Sequence, residues 1–132
     1  MNVLETEWWC IGVPPEWWAD QDEDSIVIGD RDDVGNIEIS TLHKEQGSFE
    51  GAEVAAIARD NGEASLDWQA ATAGDFSGVC CDYNEDDEAV REWYLAAGPV
   101  LLFVTYCCDR ENSGLDAAAV DEILQTLALL KS

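Results

Sequence analysis

Residues 91–109 read REWYLAAGPVLLFVTYCCD, and the fold follows from how that stretch must be buried. From 100 to 106 every residue is apolar, aromatic or β-branched and none is charged, the pattern of a strand covered on both faces near the centre of a sheet. Just upstream the chain alternates, with Arg91, Trp93 and Leu95 pointing one way and Glu92 and Tyr94 the other. Such a half-polar strand needs a neighbour. Ala97-Gly98-Pro99 supplies the reversal: Gly98 can take positive φ and Pro99 has no N–H to donate to a ladder, so the two strands form an antiparallel hairpin. Buried aromatic strands of this kind are core material rather than a site.

Working outward, the clearest helix lies downstream. Val120, Ile123, Leu124 and Leu127 recur at the i, i+3, i+4, i+7 spacing, with Asp116, Asp121 and Glu122 toward its start and Lys131 at its end, as the helix dipole prefers. Burying each of the four is worth about 1.5–3 kcal/mol before entropy is counted. Upstream, 79–84 is a strand that turns at Glu85-Asp86-Asp87-Glu88 into the central hairpin, and Phe76 plugs the core from the Gly74–Gly78 connection. A strand over 65–72 precedes it. Ser48 is placed to cap a helix over 49–61, with Val54, Ile57 and Ala58 on one face and Gly62 as its stop. Residues 25–29 and 36–41 alternate as a second hairpin, and 7–13 form a first strand ended by Pro14-Pro15. Trp17 and Trp18 follow in a polar loop, folded back over a core edge or, where exposed, serving as binding anchors. The expected class is α+β: one domain over 1–132, an antiparallel β-sheet of about six or seven strands with two packing helices.

The charge narrows the partners. Twenty-nine acidic residues stand against 6 basic ones, a formal net charge of -23, while a hydrophobic share of 47% with six Trp argues for a folded core. Such a field repels phosphate backbones and anionic membranes, so no nucleic acid and no membrane is expected as a partner. A basic protein or a cation is electrostatically welcome, and the plainer reading of the same charge is solubility alone. Residues 1–5 lack a basic start and a long apolar region, no stretch is long enough to span a bilayer, and five cysteines, an odd number, suit a reduced compartment. The expectation is a cytoplasmic monomer or weak oligomer.

Each candidate for chemistry lacks a partner. Asp20, Asp22 and Asp24 open a calcium-loop pattern, but its sixth and twelfth positions hold Ser25 and Arg31 rather than Gly and Glu. Counting from Asp30 puts Gly35 correctly, yet Val34 and Thr41 occupy ligand positions. The vicinal pairs Cys80-Cys81 and Cys107-Cys108 suggest zinc, but adjacent residues of a strand face opposite ways and cannot chelate one ion as a C-x-x-C turn does. With the strand carrying 90–92 between them, the pairs stand two strand spacings apart, about 9.5 Å, beyond disulfide reach. The single histidine, His43, has no visible thiol partner, and Ser77 sits in Gly-Asp-Phe-Ser-Gly leading into more strand rather than in a nucleophile elbow.

In order and pattern, IGVPPEW at 11–17, VGNIEIS at 34–40, DFSG at 75–78 and the 93–106 hairpin before a closing helix resemble a PsbP-like α/β sandwich, the fold shared by PsbP and the Ran-binding Mog proteins. The resemblance covers nearly the whole chain and implies a protein-binding module, not an enzyme: no catalytic set, metal or cofactor carries over to particular residues. Charge and fold analogy together imply an immunity- or chaperone-like role, neutralising or escorting a basic protein. The candidate partner-binding residues are Trp17, Trp18, Asp20, Asp22, Asp24, Asp30, Asp32 and Asp33. The alternative is an enzyme or metal-dependent module using Cys80, Cys81, Cys107, Cys108 or His43.

Overall fold

In the computed structural model, which describes residues 2–22, 25–30, 34–61, 67–112, 114 and 117–130, the 100–106 run lies in the middle strand of a seven-stranded sheet. In chain order the elements are β1 (Asn2–Glu5), β2 (Trp9–Val13), β3 (Trp17–Gln21), β4 (Ser25–Asp30), β5 (Gly35–His43), α1 (Gly51–Asn61), β6 (Gln69–Ala73), β7 (Phe76–Glu85), β8 (Glu88–Ala97), β9 (Val100–Asp109), α2 (Ala117–Leu124) and β10 (Ala128–Leu129). A 3-10 turn, Arg110–Asn112, follows β9. The large sheet has the order β3-β4-β5-β9-β8-β7-β6, antiparallel throughout, and a second sheet has the order β1-β2-β10.

The central hairpin forms as its residues require. Ala97 pairs with Val100, leaving Gly98 and Pro99 as a two-residue loop in which Gly98 takes φ 56°, the conformation an L side chain resists. Alternation then divides the side chains. Trp93, Leu95, Val100, Leu102, Val104 and Tyr106 enter the main core, joined by Ile26, Ile28, Ile37, Ile39 and Phe76. From the other side that core is closed by Trp9, Ile11 and Val13 of β2 and by Val120, Ile123 and Leu124 of α2. The opposite face of the large sheet is covered in part: Val54 and Ala58 of α1 pack on Tyr94, Ala96 and Leu101.

The α+β class expected from the pattern is therefore corrected. The molecule is a strand-dominated β-sandwich of two sheets, and the two helices among the described residues are short, 11 and 8 residues. The physical reason is a change of layer after β2. Trp9, Ile11 and Val13 alternate like any strand of the large sheet, but Pro14, which has no N–H, breaks the ladder and the chain changes layers there. Leu127, expected as the last turn of the helix, lies beyond it. Thr126 and Leu127 close the helix with N–H bonds to the carbonyls of Ile123 and Leu124, both 3.1 Å, and the chain then runs extended as β10 against β2.

Three boundaries move as well. Trp17 and Trp18 belong to edge strand β3, not to a loop, because their backbone pairs with Asp30 and Gly29. Helix α1 begins at Gly51, past Ser48, whose carbonyl instead accepts a hydrogen bond from Lys44 Nζ at 3.3 Å. Strand β6 begins at Gln69 rather than 65; residues 62–66, with the expected stop Gly62, lie outside the described residues, as do Asp116 and Lys131.

Candidate functional site

Of the aromatic and acidic residues singled out from the sequence, Trp17, Trp18 and Asp20 lie on β3, Asp22 just past its end and Asp30 at the end of β4. Strand β3 is an edge strand, paired with β4 on one side. Trp17 turns inward and packs on the main core. Trp18 turns outward and is 42% exposed; its ring lies across Gly29, where an added Cβ would meet Trp18 ring carbons, and its indole N–H donates to the Asp30 carbonyl at 3.2 Å. Asp20, two residues on, shares the outward face with Trp18 and is exposed, as is Asp22. The backbone N–H of Asp22 donates to Ser25 at 2.8 Å and holds the turn.

Asp30 is differently used. It is 7% exposed, and its Oδ1 accepts the Val34 N–H at 2.9 Å, tying the two ends of the β4–β5 connection together. It is a loop fastener rather than an open acidic group. Asp24, Asp32 and Asp33 lie outside the described residues.

Among the described residues the ion pairs are Lys44 with Glu53 at 2.7 Å and Arg91 with Asp121 at 3.2 Å. The first holds the Glu53 carboxyl below its usual range through the Lys44 hydrogen bond. With 6 basic residues in the chain, the acidic field stays largely uncompensated.

The thiols are separate from that surface. All five cysteines are free. Cys80 and Cys81 pair with Trp93 and Glu92, while Cys107 and Cys108 pair with Val90 and Ala89, so β8 stands between the two vicinal pairs. Burial raises Cys81 to about 11, helped by Glu92, and raises Cys80 and Cys107 too. A nucleophilic cysteine needs the opposite shift. His43, exposed at the end of β5, stacks on Trp8 at 4.7 Å and 13°. Ser77 lies within β7 opposite Ala96. Among the described residues no three or more His, Cys, Asp or Glu are grouped to hold a metal.

Two features escaped the sequence pattern. A cleft of about 440 Å³ opens between the far ends of β7, β8 and β9 and the start of α2, lined by Cys80, Asp82, Arg91, Tyr106, Cys108 and Asp121. Its guanidinium is engaged, paired with Asp121 and lying 4.6 Å over the Trp93 ring. A shallower groove of about 540 Å³ runs beside α1, lined by Leu42, Ile57, Glu92, Tyr94, Leu101 and Phe103. Glu92 also accepts the Tyr83 hydroxyl at 2.9 Å; burial first and that bond second hold the phenol above its ordinary range. No local periodicity announces either feature, because each joins residues from several strands.

No family model matches the chain and no curated protein matches it. Among described helices none is long and apolar enough to cross a membrane. A solved structure of a Bacteroides thetaiotaomicron protein is similar at 19% identity and a TM-score of 0.69, over 95% of this chain and 46% of that one, so the chain spans about half of that protein's length. LpqN, involved in cell envelope biogenesis of Mycobacterium tuberculosis, is similar at 16% identity and a TM-score of 0.60, over 93% of this chain and 83% of its own. At these identities the likeness is one of fold: the chain shares its two-sheet architecture with these two bacterial proteins.

Proposed function

We propose that this chain is a non-enzymatic protein-interaction module that recognises a basic protein partner in the cytoplasm, neutralising or escorting it. The observation that carries the reading is Trp18, a large aromatic left 42% exposed on an edge strand beside exposed Asp20 and Asp22, in a chain of net charge -23. Acidic groups at the rim speed encounter with a cationic surface, and a desolvated Trp holds the complex once formed. Trp17 supports the anchor from below, packed on the core rather than offered to a partner. Burial of the thiols speaks against the enzymatic alternative through Cys80, Cys81 or Cys107.

The test is capture of a partner from the native cell, elution by salt, and binding kinetics with the purified protein. Asp20→Asn with Asp22→Asn should slow association and flatten its salt dependence, whereas Trp18→Ala should speed dissociation. Thermal melts on the same variants separate stability from affinity. A Trp18→Ala protein that is less stable yet binds the captured partner normally refutes the anchor.

A further inference from the structure

The outer face of the large sheet, where α1 packs on Tyr94, Ala96 and Leu101 with Val79 and Phe103 beside them, carries a repeating charge pattern. Directly paired residues of neighbouring strands share a face. Asp20 on β3 stands opposite Val27 on β4, Val27 opposite Glu38 on β5, and Glu38 opposite Thr105 on β9; Thr105 in turn faces Glu92 on β8. One row crossing five strands therefore reads carboxylate, apolar, carboxylate, neutral, carboxylate. Its acids are two strand spacings apart, about 9.4–9.8 Å.

The flanks of that row are aromatic and apolar. On one side Trp18 lies over Gly29; on the other Phe103, opposite Ser40, and Leu42, 58% exposed, line the groove beside α1. Asp20 and Glu38 are exposed; Glu92 is partly so, its Oε1 accepting the Tyr83 hydroxyl at 2.9 Å, and the ion pairs among the described residues use Glu53 and Asp121 instead. The acids are too far apart for one metal ion to bridge. A second copy of the chain would bring like charge to like charge, and a nucleic acid would be repelled.

The spacing selects a backbone. Polyproline II repeats every three residues at about 3.1 Å each, roughly 9.3 Å per turn, with every third side chain on the same side. An extended β-strand turns residue i+3 to the opposite side, and an α-helix repeats every 5.4 Å or so, near half the spacing. We propose that this face takes a cationic polyproline-II segment of a protein partner, laid across the strands, with Lys or Arg at every third residue meeting Asp20, Glu38 and Glu92 and with apolar residues beside Trp18 and Phe103. This rests on the basic-partner reading above and adds the surface, the backbone and the spacing.

The probes are two synthetic peptides of identical composition, one repeating Lys-Pro-Leu and one with its lysines gathered at one end. Titration calorimetry at low and physiological salt measures both against wild type, against a row variant (Asp20→Asn, Glu38→Gln, Glu92→Gln) and against a charge-matched variant on exposed residues of the opposite layer (Glu5→Gln, Glu7→Gln, Glu122→Gln). The repeating peptide is expected to bind wild type more tightly than the clustered one. The row variant should lose about fivefold or more in affinity beyond the charge-matched variant, as three exposed ion pairs imply. Equal binding of both peptides, or equal loss in both variants, overturns the row and leaves the basic-partner reading standing. Failure of both peptides to bind at low salt removes both readings. Self-association in sedimentation that only the row variant disperses assigns the face to a second copy and overturns the proposal.

Discussion

Replacing Thr41 by Val probes the seam between the two sheets. Trp9, on β2 of the small sheet, is 0% exposed, and its indole N–H donates to the Thr41 hydroxyl on β5 of the large sheet at 2.9 Å. Val fills nearly the volume of Thr and suits a strand at least as well, so backbone preference alone predicts no loss. The deleted hydroxyl, however, leaves a buried donor unpaired, at a cost of about 1–3 kcal/mol. With a urea dependence of about 1–3 kcal/mol per molar, a 2 kcal/mol loss moves the unfolding midpoint by roughly 1 M. Trp9→Phe removes the donor from the other side, and the double variant should show a coupling of about 0.5–3 kcal/mol, since Val costs little once the indole is gone. Urea unfolding followed by circular dichroism measures all four corners of the cycle. An unchanged midpoint for Thr41→Val, or a strictly additive cycle, would mean that the indole reaches water and that the sheets do not seal there.

Gly74 holds φ 60°, and a Cβ on it would collide with the Leu127 carbonyl, so Gly74→Ala should cost several kcal/mol, on the order of the largest single-residue effects; Gly47→Ala, at φ 80° in open space, should cost only about 1 kcal/mol in the same urea assay. Because so few cations offset the net charge of -23, the melting temperature should rise as sodium chloride increases to physiological strength, and a flat or falling trend would count against self-repulsion. Cys81 is pushed up to about 11, first by burial and then by Glu92, so the folded state holds its proton more tightly than the unfolded chain, whose thiols titrate near ~8.5. Its contribution is full below that value and is lost as pH rises through 11; the urea midpoint should fall over that window, less so in Cys81→Ala, and alkylation of Cys81 in the native protein near neutral pH, located by peptide mapping, should be slow.

What the residues determine by themselves is what depends on near neighbours. The alternation of Arg91, Trp93 and Leu95 against Glu92 and Tyr94, and the unbroken run after Gly98-Pro99, settle the central hairpin and the face each side chain takes, because strand periodicity is a property of a few consecutive residues. The buried face of α2 and the plugging role of Phe76 are legible for the same reason. Of the candidate site, Trp18 and Asp20 were legible by type, but their common outward face was not, since a pair of Trp among polar residues reads as a loop until β4 is there to pair with it.

Sheet membership is a different matter. Trp9, Ile11 and Val13 carry the same period as the strands of the large sheet, and nothing within them says which layer they join. That is decided by distant partners: Thr126, whose hydroxyl accepts the Gly12 N–H at 2.7 Å, and Leu130, whose N–H donates to the Trp8 carbonyl at 2.8 Å. The two residues of β10 are too few to show any periodicity, so the strand exists only because β2 offers it an edge. The row of Asp20, Glu38 and Glu92 is likewise a product of register, three acids far apart along the chain and brought to one face by the pairing of five strands. Local chemistry chose the strands; the order in which they could bury their apolar faces together chose the sandwich and the surface it presents.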